Sequence, residues 1–317
     1  TRRAFVPKLI VQIYQASPLL AALLSAAQMA SGGVSSVTVP VQGQAFVNAQ
    51  MSDYSGSFNQ PSVQQGAFEA DFNLKLMITP IPFLGMEGAV QINAAIIPLI
   101  EARMNDAGNA SADLLATKLW AAAGANSTSD ITSLGDTVGN AGTYGNLSRV
   151  TNAWWQAGVA AVGGAPLPTR STVLQYIVAA TRKNGGEMPT FGVCGPGTWT
   201  ALAQDFIGQE TYMVTPGSSF DQAEGGARSA FTALMVAGVP IYMDPYATEG
   251  VFYFLNDRYF SIYMHEDAAF AFTGFASTLP NMQLGYIGAL VSILETVLVK
   301  SKAATGVSGF GSVNVTV

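Results

Sequence analysis

One stretch constrains the fold more than any other: GVPIYMDPYATEGVFYFLNDRYFSIYMH, residues 238–265. Three runs rich in β-branched and aromatic residues are separated by turn clusters at 244–250 and 256–257, the pattern of a meander of short antiparallel strands. Eight aromatic residues lie in it: Tyr242, Tyr246, Phe252, Tyr253, Phe254, Tyr259, Phe260 and Tyr263. Alternate strand residues point to opposite faces, so these rings cannot all enter one core. Both faces must be covered, by another layer of this chain or by another chain.

The composition sharpens that demand. Only 11% of the 317 residues are charged, against about 25% in ordinary globular chains, and the mean hydropathy is +0.31. A free monomer would be short of solubilising charge, which implies extensive burial between subunits. The net charge of −6 is uneven, because Arg2, Arg3 and Lys8 precede the first acidic residue, Asp53. That basic terminus suits contact with nucleic acid or an acidic neighbour, but no clustered basic groove supports sequence-specific binding. The single cysteine, Cys194, excludes an intramolecular disulfide and fits a reducing compartment. Two apolar segments imitate membrane signals. PLLAALLSAA at 18–27 begins late for a signal peptide, and LGYIGALVSILETVLV at 284–299 is interrupted by Glu295 and falls short of the ~20 residues of a spanning helix. Both are expected to pack against protein, with no membrane involved.

Along the chain, residues 1–16 read as an extended arm. Ser17-Pro18 starts a short helix that Gly32-Gly33 ends. Val37, Val39 and Val41 then alternate, as do Phe72, Leu74, Leu76 and Ile78 on one face with Asn73, Lys75, Met77 and Thr79 on the other. With a polar tip between them, these segments form a long two-stranded hairpin. Such a ribbon is marginal alone and exposes an edge; it lies either on another subunit or within this chain's own sheet. From 86 to 123 the pattern is helical, with stripes at Ile92, Ile96, Leu99 and Ile100 and at Leu114, Leu115 and Leu119. Pro98 and Gly108-Asn109 predict a kink or two in-line pieces. A loop at 124–145 leads to Trp154 and Trp155, a pair that reads as core or interface. Next come a helix lined by Val173, Leu174, Ile177 and Val178, the buried strand PTFGVCG, and a second helix opened by Pro196 with Trp199, Leu202 and Phe206 inward. β-Branched segments between 286 and 299 precede a Gly-rich tail.

Chemistry is sparse. His265 is the sole histidine, which excludes a histidine-based zinc cluster. Cys194 and His265 form a conceivable nucleophile–base pair, but a cysteine in an apolar strand usually serves as a small hydrophobe. Neither a nucleophile elbow nor a phosphate-binding loop occurs, and Glu87, Glu101, Asp244, Glu266 and Asp267 lack a supporting motif. No catalytic, cofactor or metal residues are assigned, and the chain reads as a non-enzyme.

The order of elements resembles the major capsid proteins of tailed phages of the Hong Kong 97 type over nearly the whole chain. TVPVQGQ (38–44), DYSGSF (53–58) and AFEADFNLKLMITP (67–80) resemble the family's extended loop. MEGAVQINAAIIPLIEARMNDAGNASADLLATKLW (86–120) is similar to its spine helix, and TYGNLSRVTNAWWQA (143–157) to the segment leaving the peripheral domain. PTFGVCGPGTWTAL (189–202) and the aromatic stretch through His265 resemble the axial domain and its junction.

The resemblance implies an α+β fold divided as arm and short helix (1–34), extended loop (35–84), peripheral domain with spine helix (85–165), axial domain (166–250), and return to the peripheral domain with the C-terminal tail (251–317). It implies self-assembly into pentamers and hexamers of an icosahedral shell in the virion, built in the host cytoplasm around double-stranded DNA. Scaffolding, portal and decoration or cement proteins are the implied partners, and no cofactor is implied. Tyr54, Phe58, Phe68, Phe72, Trp154, Trp155 and Tyr246 are expected at subunit contacts, and Arg2, Arg3 and Lys8 facing DNA. Some members cross-link a loop lysine to an asparagine. Here residues 52–70 hold no lysine, and Lys75 is the only one between Lys8 and Lys118, so no covalent cross-link is expected. The alternatives are an encapsulin-like nanocompartment sharing the fold, a hydrolase using Cys194, and a secreted surface-layer or adhesion protein.

Overall fold

The computed structural model describes residues 17–31, 33–43, 51, 56, 66–84, 99–206, 234–277 and 285–314. The expected arm, the ribbon tip and the spine stripe at Ile92 and Ile96 lie outside these residues. The helices are α1 (Pro18–Ser25), α2 (Leu99–Leu119), α3 (Leu134–Thr137), α4 (Arg170–Lys183) and α5 (Pro196–Phe206). The strands are β1 (Gln28–Ala30), β2 (Ser36–Gln42), β3 (Ala67–Asn73), β4 (Lys75–Leu84), β5 (Thr143–Tyr144), β6 (Leu147–Ser148), β7 (Gly158–Ala161) and β8 (Phe191–Cys194). They continue with β9 (Leu234–Val236), β10 (Val239–Met243), β11 (Phe252–Leu255), β12 (Phe260–His265), β13 (Ala271–Phe272), β14 (Ala276–Ser277), β15 (Gly285–Leu298) and β16 (Thr305–Ser308).

Two six-stranded sheets share the described chain. In the first, β15 pairs with β12, β13, β14 and β4, and β1 adds to β12. The second runs β7-β16-β11-β8-β10-β9. The aromatic stretch is therefore not a meander. β10 and β11 lie on either side of β8, while β12 crosses into the other sheet. The crossing occurs at Asn256, which accepts backbone hydrogen bonds from Tyr259 and Phe260.

This crossing accounts for the aromatic density. On β11 the side chains alternate between two cores: Phe252 and Phe254 enter one with α4 and α5, whereas Leu255 and Tyr253 face the other. Phe252 meets Phe310 edge-on at 5.2 Å, and Tyr253 meets Trp120 at 5.8 Å. The strand is buried on both faces by its own subunit.

β4 leaves the ribbon for the first sheet, and β7, β11 and β16 join β8, β9 and β10 in the second, so each sheet draws its strands from distant parts of the chain.

Local chemistry explains the helices. Ser17 caps α1, accepting from the Leu20 amide, and its hydroxyl donates to Asp244 at 2.5 Å. Asp244 also accepts from the Leu19 and Tyr246 amides, so one buried carboxylate ties the start of α1 to the turn after β10. Leu19, Leu20 and Leu23 pack inward, which places the apolar run inside the subunit. The helix ends at Ser25, earlier than the glycines, because β1 begins at Gln28. α2 runs unbroken through Gly108 and Asn109, with Leu115 and Leu119 buried and Leu114 exposed.

α4 is closed at its start by a Thr169–Thr172 capping box and is followed by Gly185 and Gly186 at φ +79° and +99°. Its buried stripe is Val173, Ile177 and Ala180, at i, i+4, i+7; Leu174 and Val178 point outward. α5 is capped by the Glu249 carboxylate, which accepts from the Gly197 and Thr198 amides at 2.8 and 2.9 Å.

Ile177→Ala is expected to destabilise the subunit by about 2–5 kcal/mol. Leu174→Ala, three residues earlier on the same helix, is expected to cost under about 1 kcal/mol. Urea unfolding of the two variants checks the assignment of the buried face.

Candidate assembly surfaces

The ribbon of β2 and β3 is bound to the body by an aromatic ladder. Phe72 meets Tyr144 edge-on at 5.0 Å, Tyr144 stacks on Trp155 at 5.9 Å, and the Trp155 indole N–H donates to the Tyr144 carbonyl at 2.9 Å. A second contact joins Phe68 to Trp154 at 4.9 Å. Gly43 is required there, because a Cβ would stand 2.2 Å from the Trp154 ring. Behind the ladder sits Arg149, 2% exposed. It donates to the Asp136 and Thr137 carbonyls at 2.6 and 2.5 Å, with its guanidinium 4.6 Å from the Tyr144 ring centre. Burial lowers its pKa. The Tyr144 hydroxyl accepts from the Leu298 amide at 2.7 Å, fastening the ladder to the end of β15.

Of the residues expected at subunit contacts, Phe72 and Trp155 are therefore buried within their own subunit, at 4% and 1% exposure. Phe68 and Trp154 are half-buried. Tyr246 is half-buried too, its hydroxyl on the Asp113 carboxylate. Tyr54, Phe58, Arg2, Arg3 and Lys8 lie outside the described residues.

The surface that sequence reasoning missed is the outer face of β4 and β15. These strands pair over ten positions. One face carries Leu76, Ile78, Pro80 and Pro82 opposite Ile293, Val291, Ala289 and Ile287, with no polar side chain among them. Leu76 and Ile78 are 55% and 53% exposed. The alternation that put Leu76 and Ile78 on one face with Phe72 slips by one residue at Leu74, whose amide bonds Ser35 as the chain changes sheets. A one-residue slip exchanges the faces. Lys75, Met77 and Thr79 accordingly turn inward: Lys75 donates to the Thr128 carbonyl at 2.7 Å, and Thr79 bonds Ser111 on α2 at 2.8 Å. Pro80 and Pro82 also remove amide donors from β4, a strand paired on one side only among the described residues.

The conceivable Cys194–His265 pair is not assembled. Cys194 is fully buried in β8, where burial pushes its thiol up. His265 ends β12 in the other sheet, its Nδ1 accepting from the Asp267 amide, so the pair is not brought together. Among the described residues, no His/Cys/Asp/Glu cluster fits a metal ion and no helix is long and apolar enough to cross a membrane. The buried carboxylates are structural. Burial raises both Asp244 and Glu295, and Glu295 accepts from the Thr132 and Thr296 amides at 2.7 and 2.9 Å.

No protein-family model matches the chain, and no curated protein is similar to it. Solved structures are similar in fold. The capsid subunit of cyanophage A-1(L) has 14% identity and a TM-score of 0.72, covering 98% of this chain and 97% of that one. The SrpI encapsulin of Synechococcus elongatus PCC 7942 has 10% identity and a TM-score of 0.60, covering 99% and 96%. The capsid of the native GTA particle has 12% identity and a TM-score of 0.63, covering 98% and 96%. The chain has the Hong Kong 97 type shell fold, α+β, across nearly its full length.

The raised Asp244 pKa has a defined sign. The folded state holds the proton above the ordinary value of 3.8, so this group's contribution to stability falls as pH rises from there through the raised pKa. Asp130 acts oppositely and at lower pH. Lys118 at 2.8 Å and Ser127 hold it at about 2, so its contribution is complete above the ordinary value and is lost as pH falls toward 2. Asp244→Asn is expected to flatten the decline above pH 4 while leaving the acid limb intact. Urea unfolding at successive pH values reads both limbs.

Proposed function

We propose that this chain is the major capsid protein of a tailed double-stranded DNA phage, assembling into pentamers and hexamers of an icosahedral shell without enzymatic activity. The observation that carries the reading is the outer face of β4 and β15, an uncharged apolar surface on a chain whose fold is that of shell proteins. A subunit alone in water leaves that face solvated, at a cost of roughly 25 cal/mol for each Å² that association would bury. Many modest contacts, closed into one shell, act together.

In this reading the first sheet with α2 forms the peripheral domain, and the second sheet with α4 and α5 the axial domain. The ribbon, stiffened at its root by the Phe72–Tyr144–Trp155 ladder, reaches over a neighbouring subunit, with Tyr54, Phe58, Phe68, Trp154 and Tyr246 near the contacts. Arg2, Arg3 and Lys8 face packaged DNA. Scaffolding, portal and cement proteins complete the virion, with assembly in the host cytoplasm. The likeness to an encapsulin favours one second reading, a nanocompartment loaded with protein; nucleic acid inside purified shells separates the two.

Shells or capsomers are expected in negative-stain electron microscopy of the purified protein. Leu76→Glu with Ile78→Glu should leave a folded subunit that elutes as a small species, whereas unchanged shells would remove the outer face from the assembly reading. On a denaturing gel, mature particles should run as one monomer band; a ladder of covalent multimers would overturn the expected absence of cross-links.

A further inference from the structure

Sequence reading found no clustered basic groove, yet folding builds one. Arg182 and Lys183 project from the last turn of α4, and Lys302 comes from the turn at 301–303 that packs against that helix. Together with Ala153 and Val178 they line a groove of about 630 Å³ that contains no carboxylate. The α4 C-terminus alone accounts for two cations, since basic residues offset its dipole; Lys302 comes from a different element, the one-turn helix at 301–303. None of the three has an ion-pair partner among the described residues. The nearby Glu187 is already engaged by Lys300 at 3.4 Å, Arg258 at 3.6 Å and the Tyr259 hydroxyl.

The lining narrows the choice of partner. Val178, 59% exposed, lines the groove with Ala153, Ala179 and Gln175, so the site sets apolar side chains beside its cations. A phosphate backbone has no use for those apolar side chains, and the chain as a whole is acidic. A short acidic turn flanked by apolar side chains matches both features. Such a turn exists in the chain itself. Glu266-Asp267 is the only pair of consecutive acidic residues in the sequence; both are exposed and unpaired among the described residues. Phe272 and Phe275 follow closely, 37% and 39% exposed.

One subunit cannot join the two. β12 runs antiparallel to β15, with Phe260 opposite Leu298 at one end and Met264 opposite Leu294 toward the other. Lys302 follows the first end and Glu266-Asp267 the second, on the order of 20 Å apart at ~3.3 Å per strand residue.

We propose that the Arg182–Lys183–Lys302 groove receives the Glu266-Asp267 turn of a second copy of this chain. The contact is head-to-tail, and contacts of that kind close into rings when the rotation per subunit permits. The inference rests on the assembly reading and specifies one contact within it, where charge fixes register more than it supplies affinity.

The test is a charge exchange, read by sizing chromatography and negative-stain microscopy beside the unaltered chain. Arg182→Glu with Lys183→Glu, or Glu266→Lys with Asp267→Lys, should each lower the assembled fraction about tenfold or more at low salt, because like charges then meet. All four substitutions together should restore assembly, which also demonstrates that the altered chain folds. Unchanged assembly in either reversed variant would overturn the proposal, and so would loss in both without restoration in the combination. If the unaltered chain forms no assemblies, the capsid reading fails first and separately.

Discussion

Strand β15 is the constraint on which the rest depends. It pairs with β4 over ten positions and with β12 over five, and it carries β13 and β14 beyond them. Because successive side chains alternate, this one strand fixes which residues of four others face α2 and which face outward. Its last residues, Val297 and Leu298, are wholly buried, and the Tyr144 hydroxyl holds the Leu298 amide. The ribbon root, the buried Arg149 and the long sheet thus share one anchorage.

Much of this was legible in the sequence where local rules decide. Ser17 and Pro196 mark helix starts by chemistry that acts over three or four residues, and they were read as starts. The order of strands and helices carried the resemblance to the shell fold, which the structure bears out. What failed was register and partnering. Leu76 and Ile78 alternate correctly, but the slip at Leu74 reverses their face, and no periodicity reports a slip. The aromatic runs are strands, yet they pair with β8, β15 and β16 instead of with one another, because distant segments compete for the same backbone donors.

The surfaces show the same limit. Phe72 and Trp155 have the composition of interface anchors and are buried within the subunit, while the apolar face of β4 and β15 was not read as one surface, because only the pairing of the two strands assembles it. The basic groove was invisible for a simpler reason: Lys302 stands far along the chain from Arg182, and only the packing of α4 on the 301–303 turn joins them. Assembly surfaces are properties of the folded subunit, whereas caps and strands are properties of short segments.

Pro80 and Pro82 on β4 add a consequence for geometry. A strand with a free edge can recruit another strand through its backbone, and such growth repeats without limit, producing fibres. Two missing amide donors in a ten-residue strand interrupt that template. In the assembly proposed above, association is steered from the edge to the faces, where side-chain shape sets the angle between subunits. A fixed angle gives curvature, and curvature is what allows a growing surface to close on itself.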